Sequence, residues 1–276
     1  MVLWFKKDHD MVQPRDNSRS SKIAAVTGGG SGLGAATAHR LARDGYRVAI
    51  LDLQRENAEA VARHLNAERP DCALALQVNV ADPVSVDAAF VALEQRWGQG
   101  PDVLVNSAGI MPVAPVLDCS YDMFRTAMDV NVGGSFLCSQ RAARGMAERR
   151  FGRIVNLASI SSERAGVGRV AYGTSKTAIA GLTRQFAMEL GPLGITVNAI
   201  APGPVLTAMT EKNYTPETRQ AFEASIPARR MGRTEEMADA IAFLCSDGAA
   251  YINGVLLPVD GGYLAAGIAT TAGLKA

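Results

Sequence analysis

Thr27-Gly28-Gly29-Gly30-Ser31-Gly32-Leu33-Gly34 decides how the rest of the chain is read. It closes a short apolar run, Ile23–Thr27, and opens a stretch with helical spacing, Leu33–Arg43. Run, glycine turn and helix together make the start of a strand–helix–strand unit. The next strand falls at Tyr46–Asp52, and the next helix, with apolar residues three and four apart, at Glu56–Ala67. The theme repeats as strand Ala73–Val80, helix Val84–Trp97 and strand Val103–Asn106. A helical region follows from Tyr121 to Arg149, then strand Arg153–Ala158 and helix Tyr172–Leu190. Strand Ile195–Ile200, helix Glu235–Cys245 and strand Val255–Val259 complete the series. These strands lack polar alternation, as expected where both faces of a parallel sheet are covered.

Seven such strands with helices between them predict a single-domain α/β fold, a doubly wound (Rossmann) parallel sheet with helices on both faces. Right-handed crossovers then bring the strand C-termini to one rim, where a ligand would bind. No linker or low-complexity segment divides residues 21–276, so one domain is expected there. Residues 1–20 are charged, lack periodicity and read as a tail.

Composition narrows the function. The 276 residues are 48% hydrophobic and 20% charged, enough to bury a large core. Lys plus Arg at 28 against Asp plus Glu at 27 gives a formal charge of +1, with no basic footprint for nucleic acid or a membrane face. No apolar run approaches the ~18 residues of a membrane span, and no signal-peptide pattern opens the chain. A cytoplasmic protein is expected. Cys72, Cys119, Cys138 and Cys245 lie far apart, with no Cys-x-x-Cys, and read as small buried hydrophobes with no metal site. His9, His39 and His64 all precede residue 70, which argues against a Ser-His-Asp hydrolase.

The glycine turn suits a phosphate. It lets backbone approach a pyrophosphate while the helix N-terminus offers unpaired N–H groups and a partial positive charge. Its Gly-x-x-x-Gly-x-Gly spacing is one residue looser than Gly-x-Gly-x-x-Gly and is weak by itself. Asp52 strengthens it: a carboxylate ending the second strand, eighteen residues beyond Gly34, is placed to grip an adenosine ribose. A 2′-phosphate would meet that carboxylate, with Ser31 and Leu53 as neighbours and Arg55 the nearby cation. NAD is therefore preferred over NADP.

Tyr172 and Lys176 stand four apart at a helix start and project from one face. A phenol with a pKa of about 10 is a poor base near neutrality, but a neighbouring ammonium favours the phenolate. Tyr172 could then take a proton from an alcohol while a cofactor takes the hydride.

With these residues in place, residues 22–263 resemble a short-chain dehydrogenase/reductase. The resemblance rests on the Thr27–Gly34 turn, Asn106-Ser107-Ala108-Gly109, Asn131, Ser159 thirteen residues before Tyr172, the Tyr172–Lys176 pair, and Pro202-Gly203 followed by Thr207. It implies Tyr172 as general acid/base, Ser159 polarising the substrate oxygen, Lys176 binding the nicotinamide ribose and lowering the Tyr172 pKa, and Asn131 holding a water that passes the proton outward. Cofactor contacts are implied at Gly28, Ser31, Gly32, Leu33, Gly34, Asp52, Asn79, Val80, Asn106, Ala108, Gly109, Tyr172, Lys176, Pro202, Gly203, Val205 and Thr207. One departure is Asn79-Val80, where the family usually has Asp-Val at the adenine. Asn can still donate and accept there. The family also implies a homotetramer.

The segments framing the substrate carry Met111, Pro112, Val113, Val167, Leu206, Met209 and Tyr214, mostly apolar. Arg164 and Arg169 sit among them, either receiving an anionic group or facing water as loop arginines. The expected substrate is a small to medium secondary alcohol, diol, polyol or hydroxy-acyl compound, or the matching ketone. The alternative is a 3-oxoacyl-[acyl-carrier-protein] reductase using NADPH. That reading wants two arginines for an acidic carrier; Arg150 matches the first, while Met188 stands at the second.

Overall fold

The computed structural model describes residues 22–207, 210 and 214–266; the tail, Met209 and the last ten residues lie outside them. Seven parallel strands form one sheet in the order β3-β2-β1-β4-β5-β6-β7. They are β1 (Ile23–Thr27), β2 (Arg47–Asp52), β3 (Ala73–Gln77), β4 (Val103–Asn106), β5 (Gly152–Leu157), β6 (Ile195–Pro202) and β7 (Leu256–Val259). The order reverses between β1 and β4, and at such a switch point a crevice opens beyond the strand C-termini.

Alternation along β1 explains the two layers. Ala24 and Val26 face a core built with α1 (Gly32–Arg43) and α2 (Arg55–Glu68), while Ile23 and Ala25 face one built with α3 (Pro83–Trp97). α4 (Tyr121–Met128), α5 (Gly134–Glu148) and α6 (Val170–Leu190) follow along the chain, α5 sharing the α3 layer through Cys138 and Met146. The last helices are α7 (Pro216–Ser225) and α8 (Thr234–Cys245), the latter packing on α1 through Met237 and Ile241.

Three elements differ from expectation. β3 ends at Gln77 because Asn79 Oδ1 accepts the Ala81 N–H at 3.1 Å and turns the chain towards α3. The helical region after Tyr121 is interrupted by a π-helical turn, Asp129–Gly133. α7 was not legible: it has no buried residue and so no apolar stripe, although Thr215 caps it and Pro216 opens it. Cys72, Cys138 and Cys245 are buried, but Cys119 is only half-buried.

Candidate active site

A cleft of about 380 Å³ runs along the switch point. At one end lie Asp52, Leu53, Asn79 and Val80; Gly28, Ser31, Gly32, Leu33, Ala108 and Gly109 form its middle; Tyr172, Lys176 and Thr207 close the other end. A second cavity, about 200 Å³, adjoins it and shares Tyr172 and Thr207 with it.

Backbone contacts shape the glycine end. Gly28 has φ +62°, and a Cβ there would lie 2.8 Å from the Ala108 Cα. A Cβ on Gly34 would collide with the Gly28 carbonyl oxygen, so Gly34 supports the turn from beneath. Thr27 Oγ1 accepts the N–H groups of Ser107 and Ala108, both at 3.1 Å, and ties the β1 turn to the end of β4. Ser31 sits at the α1 N-cap without a side-chain cap bond, whereas Asp82 and Ser120 cap α3 and α4. The first N–H groups of α1 are thus left for a ligand. Asp52 Oδ2 accepts the Gly30 N–H and Oδ1 the Gln54 N–H, both at 2.9 Å. Each carboxylate oxygen keeps a lone pair for a hydroxyl. These residues fit a dinucleotide.

Not every expected contact reaches the cleft. The Asn106 side chain is buried: its Nδ2 donates to Ser139 Oγ and Asn156 Oδ1, both at 2.8 Å, and Asn156 Nδ2 donates to Thr183 Oγ1 at 2.9 Å. This network pins β4, β5, α5 and α6 together, so Asn106 acts on the cleft by holding the strand end. Pro202, Gly203 and Val205 line the second cavity instead of the cleft. Asn79 has one Oδ1 lone pair taken by Ala81 and keeps its Nδ2 donors.

Side chains shape the tyrosine end. The π-helical turn carries Asn131 into the interior, where Oδ1 accepts the Ile110 N–H at 2.8 Å. Its Nδ2 donates to the Ile110 oxygen at 3.0 Å and Ser175 Oγ at 2.9 Å. Both amide protons are spent on the protein, leaving one Oδ1 lone pair for a water. Ser175, which no sequence motif singles out, donates in turn to the Tyr172 backbone carbonyl at 2.7 Å. Lys176 is buried, donates to the Leu157 oxygen at 2.7 Å, and sits 5.7 Å from the Tyr172 ring centroid. Burial pulls the Lys176 ammonium down to about 8. Burial also raises the Tyr172 phenol above its ordinary value; the Ser159 hydroxyl and the Arg169 charge pull it back, and Tyr214 adds to the rise. Lys176, expected to lower Tyr172, is not among the groups that shift it in the protein alone; Ser159 and Arg169 are the ones that pull it down. Ser159 is itself buried, and its Oγ accepts the Ser161 N–H at 3.1 Å.

The second cavity has an aromatic wall that the sequence revealed only in part. Phe222 of α7 packs on Tyr214 at 5.2 Å and on Tyr263 at 6.4 Å between centroids. Thr210 fixes the neighbouring turn, donating to the Val205 oxygen at 2.7 Å and accepting the Thr207 N–H at 2.9 Å. Among the described residues no group of His, Cys, Asp and Glu could hold a metal ion, and no helix is long and apolar enough to cross a membrane.

Sheet order, glycine turn and cleft define a dinucleotide-binding α/β protein. The family model described as enoyl-(acyl carrier protein) reductase matches residues 28–264. D-threitol dehydrogenase of Mycolicibacterium smegmatis is 40% identical over 88% of this chain and 92% of its own. The 3-oxoacyl-[acyl-carrier-protein] reductase of Aquifex aeolicus is 37% identical over 87% and 96%. The crystal structure of a levodione reductase superposes with a TM-score of 0.86 at 34% identity, covering 90% of this chain and all of the other. The chain belongs to the short-chain dehydrogenase/reductase family, whose members bind nicotinamide cofactors, and is an oxidoreductase acting on CH–OH groups.

Proposed function

We propose that the protein transfers hydride between NAD(H) and a small secondary alcohol, diol or polyol, or the matching ketone. One observation carries the reading: Tyr172, beside the Ser159 hydroxyl, lies where the long cleft and the smaller cavity meet. A reacting carbon there would face a cofactor on one side and open space for its substituents on the other.

Bound NAD supplies the hydride acceptor and a positive ring. Ser159 orients the substrate oxygen, and the Tyr172 phenolic oxygen takes its proton during oxidation or returns it during reduction. Lys176, charged below about pH 8, favours the phenolate and can reach a ribose hydroxyl from its place beside Gly109. Asn131 fixes the Ile110 loop and Ser175, and its free lone pair can hold a water on the outward proton path.

NAD preference is supported by Asp52, which would repel a 2′-phosphate, and by Arg55, whose Nε instead donates to Glu59 at 2.8 Å. The carrier-protein reductase reading draws on the Aquifex relative's name. Against it, Arg150 donates to the Pro192 oxygen at 3.1 Å and Met188 is exposed where a second arginine is wanted. A cytoplasmic homotetramer with residues 21–276 as one domain and a dispensable tail completes the proposal. Exposed Phe136, Met188 and Tyr251, on α5, α6 and the approach to β7, support the assembly. Light scattering at micromolar concentration checks it, monomer being the contrary result.

The test is a panel of free secondary alcohols with NAD against a 3-oxoacyl-carrier substrate with NADPH. Efficient alcohol turnover with NAD supports the proposal; carrier turnover that falls steeply with salt overturns it.

A further inference from the structure

The smaller cavity has an uneven charge. Arg164 and Arg169 line it, and no Asp or Glu does among the described residues. The two arginines are used differently. Arg164 is exposed, and its Nη2 donates to the Leu264 oxygen at 3.1 Å, fastening the segment after β5 to the chain beyond β7. Arg169, at the α6 N-cap, is half-buried with its guanidinium carbon 5.8 Å from the Tyr172 ring centroid. Its guanidinium has no carboxylate or carbonyl partner among the described residues.

A solvating arginine would extend into water. This one lies over the ring of the residue at which the chemistry is placed, half-buried, with none of its five N–H donors given to a described residue. A planar carboxylate can take two of them in parallel, and the gain is larger where water is partly excluded. A neutral alcohol in the same place leaves the guanidinium unsatisfied. The 5.8 Å between the Arg169 guanidinium and the Tyr172 ring is what a short chain spans between a bound carboxylate and a reacting carbon.

We propose that Arg169 determines specificity by binding the carboxylate of a small hydroxy acid, or of the corresponding oxo acid, whose carbinol or carbonyl carbon reacts at Tyr172. This rests on the oxidoreductase reading above and narrows its substrate class. Oxidation balances as before: the carbinol hydrogen leaves as hydride to NAD, the hydroxyl proton goes to Tyr172, and the carboxylate is unchanged.

The experiment compares 2- and 3-hydroxybutanoate and 2-, 3- and 4-hydroxypentanoate with their primary amides, using wild type, Arg169→Gln and Arg169→Lys. The measured quantity is the ratio of kcat/KM for acid to that for amide, in which any effect on Tyr172 common to both substrates cancels. Wild type should favour an acid at least tenfold. Arg169→Gln should lower the ratio about ten- to a hundredfold, mainly through KM for the acid, and Arg169→Lys should restore part of it. Melting temperatures confirm that the variants fold. A wild-type ratio near one, or a ratio that Arg169→Gln leaves unchanged, overturns the inference while amide turnover keeps the oxidoreductase reading intact. Absence of turnover with every alcohol, acid or neutral, overturns both.

Discussion

Around Gly28–Gly34 the cleft is held by backbone meeting backbone, whereas around Tyr172 it is held by side chains reaching for one another. At the glycine end a single added carbon collides with main chain, as at Gly34 against the Gly28 oxygen. At the tyrosine end Asn131, Ser175 and Lys176 are fixed by hydrogen bonds to Ile110, Tyr172 and Leu157. Beyond these, the substrate wall comes from the segments around Arg164 and Tyr214, where packing constrains the residue type far less. The cofactor end is therefore sterically determined. The substrate end has a fixed reactive group in a wall open to change, which suits a family whose relatives carry names as different as threitol dehydrogenase and levodione reductase.

That contrast can be broken in order of effect. Tyr172→Phe removes only the ionisable oxygen, so kcat should fall about a thousandfold, within the range expected for a lost acid/base group, while calorimetry finds NAD binding within about threefold. Retention of more than a tenth of wild-type kcat removes Tyr172 from the proton step. Gly34→Ala should do the opposite: weaken NAD binding by about a hundredfold and cost about 1–3 kcal/mol of stability, as overpacking does. Unchanged binding would mean that the turn tolerates a shifted backbone.

Asp52→Ala sharpens the cofactor side. It should lower kcat/KM with NAD about tenfold and raise the NADP-to-NAD ratio, equivalent to about 1.4 kcal/mol per decade. An unchanged ratio dissociates Asp52 from cofactor choice.

The smallest effect concerns stability against pH. Burial holds Lys176 at about 8 in the folded protein, below the ordinary value of 10.5. Between those values the unfolded chain binds more protons, so cofactor-free stability should rise from pH 8 to 10, and the cost of burying the charge is fully present below about pH 8. Above that window Tyr46 and Tyr172, both raised chiefly by burial, reverse the trend. Urea denaturation of wild type and Lys176→Met across this range checks it; equal slopes contradict it.

The same contrast explains what the sequence could tell. Sterics at the glycine end demand particular residues at particular spacings, so β1, the turn and Asp52 were readable from Thr27–Gly34 outward. Hydrogen-bond partnership leaves no such trace. Asn106 was expected at the cofactor because nothing in the chain reveals that Ser139, Asn156 and Thr183 share its buried network. Arg164 and Arg169 look alike in sequence, and only the fold separates a guanidinium tied to Leu264 from one lying over Tyr172. Phe222 went unnoticed because its helix buries nothing and shows no apolar period.

The central claim is that hydride leaves a secondary carbinol at Tyr172 for NAD. The most direct measurement uses secondary alcohols and hydroxy acids deuterated at the carbinol carbon, with NAD and wild-type enzyme, and mass analysis of the nucleotide formed. The account predicts reduced nucleotide carrying one deuterium from the substrate. Unlabelled reduced nucleotide, or none with any member of the panel, would contradict it.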